Sequence, residues 1–330
     1  MNISLKGIKE LLFVGGATMA IALSFSSCRK EASSLGLQPT DSLTSYLEKL
    51  RTYKKSDHQI MAAYFRTWRD RATDPIVNKT SMKELPDSLD IAFVFPDYTP
   101  EDNTFWDSLK TSYVPHLRAR GTKVVMTTDI GAALDKNFPN TPAGYAALAD
   151  KIIAEKMTRY DLDGVDFDVE RNLSAEDLQR AIGVFNALSK RLGPKSGTDK
   201  LLIYDTNQDG TTSLFTAVHG LINYVLVQSY GRSMGSLQPT YNTYANLIRP
   251  DQYLIGFTFY EERSAGWGDV GIPLEDSRAF NYVMWNPSQG KKGGIFSYAV
   301  DRDGVPQGES DIVATTYSVT RRLISAVNPQ

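Results

Sequence analysis

The chain is 330 residues long, 42% hydrophobic and 22% charged, with a formal net charge of −2. That length supplies one large core or two ordinary ones, and near-neutrality offers no basic footprint for nucleic acid. A single cysteine, Cys28, excludes an internal disulfide.

Residues 1–27 read as a targeting segment rather than as fold. Lys6 and Lys9 precede an apolar run from Leu11 to Phe25, short for a membrane span and shaped like a secretory signal. The run ends Phe25-Ser26-Ser27-Cys28, and small residues before a lone cysteine resemble a bacterial lipoprotein signal. That resemblance implies cleavage before Cys28, lipidation of its thiol and, with Arg29 and Lys30 next instead of an acid, an outer-membrane address. An ordinary signal peptide that happens to precede a cysteine is the plainer alternative. Residues 28–55 read as a tether and one helix, capped by Asp41 or Ser42, with Leu43, Tyr46, Leu47 and Leu50 at helical spacing.

From residue 56 to 330 short apolar runs alternate with helical patterns, which argues for βα units and a parallel sheet. The runs are 60–65, 89–95, 123–128, 161–170, 201–205, 224–230, 253–260 and 294–300. Between them, Phe105, Leu109 and Val114 mark one helix, and Thr141-Pro142 opens another as cap and first helical position. Ser174 caps a third, with Asp177 near the position of a capping-box acid. A last helix is expected over 311–326. Eight strands with intervening helices over this length predict a (β/α)8 TIM barrel. An open doubly wound sheet is the alternative, but it usually carries a Gly-rich phosphate turn after its first strand, and none is present.

The fourth run, Asp161-Leu162-Asp163-Gly164-Val165-Asp166-Phe167-Asp168-Val169-Glu170, is the anomaly. Period two places Asp166, Asp168 and Glu170 on one face and Val165, Phe167 and Val169 on the other. Buried carboxylates without partners are costly, so an acid-inward strand has a chemical use. In a barrel the active site lies at the carboxyl ends of the strands. Glu170 therefore stands at the rim, Asp168 one pleat deeper and Asp166 deeper still. A negative Asp168 beneath Glu170, at a desolvating barrel mouth, favours a protonated Glu170, as a general acid requires.

Asp163-Gly164-Val165-Asp166-Phe167-Asp168-Val169-Glu170 resembles the D-G-x-D-x-D-x-E signature of glycoside hydrolase family 18, on the fourth strand where that family carries it. Tyr64-Phe65-Arg66-Thr67-Trp68 is similar to the family's first strand, Ala92-Phe93-Val94-Phe95 to its second, and Gln228-Ser229-Tyr230 to the sixth-strand M-x-Y motif. The chain departs from the pattern at Gln228 (often Met), at Gly231 (usually Asp) and at Thr128-Asp129-Ile130-Gly131, a loose echo of S-x-G-G. Tyr298 lies where chitinases usually place a Trp platform. Only about 30 residues separate strands seven and eight, too few for the insertion domain of many chitinases. Together these features look more like the bacterial endo-β-N-acetylglucosaminidases that cut N-glycans between the two core GlcNAc residues.

The resemblance implies a retaining, substrate-assisted mechanism, in which the 2-acetamido oxygen of the sugar attacks its own anomeric carbon. Glu170 is then the acid/base, Asp168 orients the acetamide N–H, Tyr230 donates to the acetamide oxygen, and Asp166 holds Asp168 from below. Gln228 shares the strand face of Tyr230. Asp205 and Asn207, near the end of the fifth strand, are candidate sugar ligands by position. Trp267 in the seventh loop, Tyr298 and the motif's Asp163 complete the candidate binding set. Trp68 is open between sugar stacking and rim packing, while Trp106 and Trp285 fit helical cores. No metal or cofactor is expected: the acidic stretch lacks the EF-hand spacing, and His58, His116 and His219 are scattered singly. A chitinase, or an envelope glycan-binding lipoprotein that has lost catalysis, are the rival readings.

Overall fold

The computed structural model describes residues 39–259, 268–306 and 308–329. Its centre is a closed barrel of eight parallel strands, each hydrogen-bonded to the next in sequence and the last to the first. The strands are β1 Ile60–Arg66, β2 Ile91–Phe95, β3 Lys123–Asp129, β4 Gly164–Asp168, β5 Leu201–Thr206, β6 Tyr224–Gln228, β7 Tyr253–Thr258 and β8 Gly294–Tyr298. All eight coincide with the runs read from the sequence, though several ladders stop short of the apolar run. β6 ends at Gln228 and leaves Tyr230 on the loop above; Leu89 and Asp90 precede β2, where the Asp90 carboxylate instead accepts the Met61 N–H at 2.9 Å.

Outside the barrel, alternate strand residues pack on the helices and form the main core, which includes Val165, Phe167 and Val169 of the acidic run, all fully buried. Inside, the apolar plug is built from Ala62, Tyr64, Ile91, Phe93, Val125, Ile203, Leu226, Leu254 and Phe296. Seven strands supply these residues. β4 supplies none, because the side chains it turns inward are Asp166 and Asp168. Space inside is tight: a Cβ on Gly256 would lie 2.2 Å from the Phe296 ring, and one on Gly164 2.4 Å from the Leu201 carbonyl.

The helix signals hold where they are chemical. Thr141 accepts the Gly144 N–H in front of helix Pro142–Ile152, and Ser174 accepts the Asp177 N–H in front of helix Ala175–Leu188. The last helix begins later than expected, at Ser318, because its cap is distant in sequence. Asp303 accepts from the backbone N–H groups of Val319 and Thr320 and from the Thr320 hydroxyl, while Tyr317 takes a left-handed conformation at φ 55°.

The first helix, Pro39–Lys55, lies within the 28–55 segment read as tether and helix. Residues 43–330 form one compact unit. Arg51 donates to the Ala119 carbonyl at 2.8 Å, Lys54 to the Thr122 hydroxyl at 2.7 Å and Tyr46 to Asp87 at 2.7 Å. Cys28 and the targeting segment lie outside the described residues.

Candidate active site

At the carboxyl end of the strands a cavity of about 230 Å³ is lined by Tyr64, Phe95, Asp97, Asp168, Glu170, Asp205, Gln228, Tyr230 and Tyr298. Six residues expected from the sequence to serve the site converge on it from the ends of β4, β5, β6 and β8, and one of them, Glu170, stands exposed at the mouth. Two bonds from β5 fix the chain just before Glu170. The Val169 N–H donates to the Asp205 carbonyl at 2.8 Å, and the Thr206 hydroxyl donates to the Val169 carbonyl at 2.6 Å. The acid therefore sits on a backbone that continues the strand direction beyond the ladder.

Beneath it, Asp168 pairs in register with Asp129 on one side and Asp205 on the other. The Gln228 amide donates to both, at 3.3 Å to Asp168 and 3.0 Å to Asp205. A methionine, common at that position in the family pattern, has no N–H for either carboxylate. Asp166 lies deeper, fully buried, and accepts from the Tyr64 hydroxyl at 2.8 Å and the Thr127 hydroxyl at 3.1 Å. One oxygen of Asp166 and one of Asp205 are buried without a partner among the described residues.

The electrostatics follow from this crowding. Burial pushes Asp166 above the usual carboxylate range, and hydrogen bonds from Tyr64 and Thr127 oppose it only in part. Burial also pushes Asp168 up, reinforced by the negative charges of Glu170 and Asp166. Asp205 is raised well above its ordinary value, again by burial first and then by Asp168 and Asp166. The sequence places the proton on Glu170. The structure places the heaviest desolvation on the aspartates under it, because Glu170 faces solvent. Tyr230 is likewise driven well above 10 by burial and by Asp205, so it stays a neutral hydroxyl donor.

A buried acid of raised proton affinity destabilises the fold once ionised. Unfolded Asp205 ionises near pH ~3.9, whereas the folded form holds its proton to higher pH, so stability falls as pH rises between the two. Asp205→Asn removes this penalty. Its gain in Tm over the parent chain is expected to be larger at pH 8 than at pH 5, measured by calorimetry in paired buffers; an equal gain at both would refute the assignment.

Three candidate binding residues stand elsewhere. Asp163 lies at the opposite end of β4, buried, accepting from the Val124 N–H at 3.0 Å and paired with Lys200 and Arg118. It is a structural anchor of the amino end, and an odd spacing from Asp166 already puts it out of phase with the inward face. Asn207 is exposed and absent from the cavity wall; its carbonyl accepts from Arg232 at 2.9 Å. Trp267 lies outside the described residues. Trp68 stands at the rim next to the site, 5.9 Å from Phe95 and 4.9 Å from Tyr98 between ring centres.

Two acids escaped the sequence reading. Asp97, one residue after Pro96 at the end of β2, lines the cavity, and its carboxyl is raised by burial and by Asp129. Asp269 holds the turn after Tyr230: it accepts the Gly231 N–H at 3.0 Å and the Thr258 N–H at 3.0 Å, and pairs with Arg278 at 2.6 Å. Gly231 there has φ +68°, a left-handed conformation that glycine adopts without strain.

A family model described as the endo-β-N-acetylglucosaminidase EndoS TIM-barrel domain matches residues 63–297. Endo-β-N-acetylglucosaminidase F2 of Elizabethkingia meningoseptica is 45% identical over 290 residues, 86% of each chain. EndoS of Streptococcus pyogenes is 38% identical over 298 residues, which span 74% of this chain but only 30% of that larger protein. The crystal structure of an endo-β-N-acetylglucosaminidase from Cordyceps militaris superimposes with a TM-score of 0.83 at 53% identity, covering 86% of this chain and 96% of that one. A doubly substituted variant of it, with an Asp and a Glu two residues apart both changed to amides, has been crystallised with fucosyl-N-acetylglucosamine-Asn. The chain therefore belongs to the endo-β-N-acetylglucosaminidase family of glycoside hydrolases, in its EndoS-type TIM-barrel branch.

Proposed function

We propose that the protein hydrolyses the GlcNAc-β1,4-GlcNAc core linkage of N-glycans by a retaining, substrate-assisted reaction. The observation that carries this is the stacking of β4: one exposed acid, Glu170, above half-buried Asp168, in a cavity shared with Tyr230 and Gln228. Glu170 protonates the leaving oxygen while the acetamide oxygen of the same sugar attacks the anomeric carbon. The bond to the leaving sugar breaks as the oxazolinium ring closes. Asp168 orients the acetamide N–H and stabilises its developing positive charge; the Tyr230 hydroxyl donates to the acetamide oxygen. Glu170 then takes a proton from water, which opens the ring and restores the acid.

The same spacing of Asp and Glu, two residues apart, is the one altered in the Cordyceps variant bound to a glycosylated asparagine. Incubation with an N-glycoprotein is expected to release glycan ending in one GlcNAc and to leave one GlcNAc on asparagine, read by mass spectrometry. Time-resolved NMR is expected to show the β anomer first; an α product would exclude retention. Release from chitooligosaccharides alone would favour the chitinase reading, and binding without release the non-catalytic one.

We also propose that Cys28 anchors the protein as an exported bacterial lipoprotein, with the outer membrane as its address. Cys28→Ala is expected to move the protein from the membrane pellet to the soluble fraction and to abolish labelling by a fatty-acid probe.

A further inference from the structure

The amino end of the barrel carries a second cavity, of about 550 Å³, that the reaction does not use. Its base is the apolar start of four strands, Ile60, Ile91, Leu201 and Tyr224. Its rim holds six lysines and arginines against three aspartates, a local excess of positive charge in a chain whose net charge is −2.

The cations differ in how they are satisfied. Those from the barrel are matched: Lys123 pairs with Asp199 at 2.6 Å, while Arg118 and Lys200 share Asp163 at 3.4 and 3.3 Å. Asp90 is occupied by His58 at 3.0 Å. The three cations from the first helix, Arg51, Lys54 and Lys55, have no carboxylate partner among the described residues. Arg51 donates to the Ala119 carbonyl, and Lys54 to the Leu89 carbonyl and the Thr122 hydroxyl. Burial pushes Lys54 down to about 8, opposed only in part by the more distant carboxylates of Asp90 and Asp87. A cation desolvated beside an open cavity, with two more on the same helix face, is a receptor for negative charge.

We propose that this cavity binds a phosphate monoester on an apolar stem, its head on Arg51, Lys54 and Lys55 and its stem against Ile60, Ile91, Leu201 and Tyr224. A dianionic head matches three unpaired cations better than a carboxylate does. The apolar base distinguishes an organic phosphate from the free ion.

The test uses the full chain, titrated with inorganic phosphate, hexyl phosphate and hexanol at matched ionic strength. Hexyl phosphate is expected to bind at least about tenfold tighter than inorganic phosphate, since burying a few methylenes contributes that much, and to raise Tm; hexanol is expected to do neither. Lys54→Met, and separately the double variant Arg51→Gln and Lys55→Gln, are expected to weaken hexyl phosphate about tenfold or more while glycan release is unchanged. The double variant keeps the test decisive if loss of Lys54 impairs folding. No binding of hexyl phosphate, binding undiminished in the variants, or an equal effect of hexanol or of added salt would overturn the proposal. Cosedimentation with phosphatidic-acid vesicles, competed by hexyl phosphate, would support the site with a lipid headgroup as its source. Hexyl phosphate binding without cosedimentation would support it with a free ligand.

Discussion

Glu170→Gln is expected to lower the rate of glycan release by roughly 10²–10⁴-fold, the usual contribution of a positioned general acid, while leaving glycan affinity near that of the parent chain. The amide matches the acid in size and keeps acceptor capacity, so the rim geometry set by the Val169 and Thr206 bonds survives. What is lost is the proton for the leaving oxygen. In the free protein Glu170 faces solvent, within reach of a sugar seated at the mouth of the cavity. Single-turnover release combined with calorimetric glycan binding separates the two effects. Parental activity in the variant would remove Glu170 from the mechanism, and a parallel loss of affinity would make it a binding residue.

Asp301→Ala is expected to destabilise the barrel by about 3–5 kcal/mol, the usual cost of breaking a buried ion pair by removing one member. Arg66, at the end of β1, is 1% exposed and Asp301, just beyond β8, is fully buried. They meet through two guanidinium nitrogens, with bonds of 2.6 and 3.1 Å, on the seam where β8 closes on β1. Without Asp301, the buried Arg66 guanidinium keeps its charge but loses the carboxylate that accepts its two bonds. Chemical denaturation gives the free energy directly, and the matching fall in Tm is roughly 5–10 °C for a chain of this size. The combination of Arg66→Met with Asp301→Leu is expected to recover most of the loss; failure to recover would show that the single variant acts through packing instead.

Much of this fold was legible because its signals are local. Short apolar runs located all eight strands, and Thr141-Pro142 and Ser174 marked helix starts through side chains a few residues from the groups they bond. The catalytic face of β4 was legible for the same reason, since Asp166, Asp168 and Glu170 alternate within five residues. Contacts set by register between distant strands were not. Nothing near Asp97 in sequence announces that β2 ends beside the cavity, and nothing near Gly231 names Asp269 as its acceptor. Asp163 was misplaced because it belongs to the motif as a string of letters, while its position just before β4 puts it at the amino end and its parity turns it off the inward face. The proton distribution among the acids also needed depth, which alternation alone does not supply.

β4 gives the barrel interior no hydrocarbon, only carboxylates, and that has a consequence for selection. Every other strand turns at least one apolar side chain inward, whereas β4 turns inward only groups whose desolvation opposes folding. Variants that replace Asp166 or Asp168 by apolar residues of similar volume should therefore withstand heat better than the parent while releasing no glycan. A thermal screen run without an activity gate would enrich inert barrels first. Durability and turnover compete along this one strand.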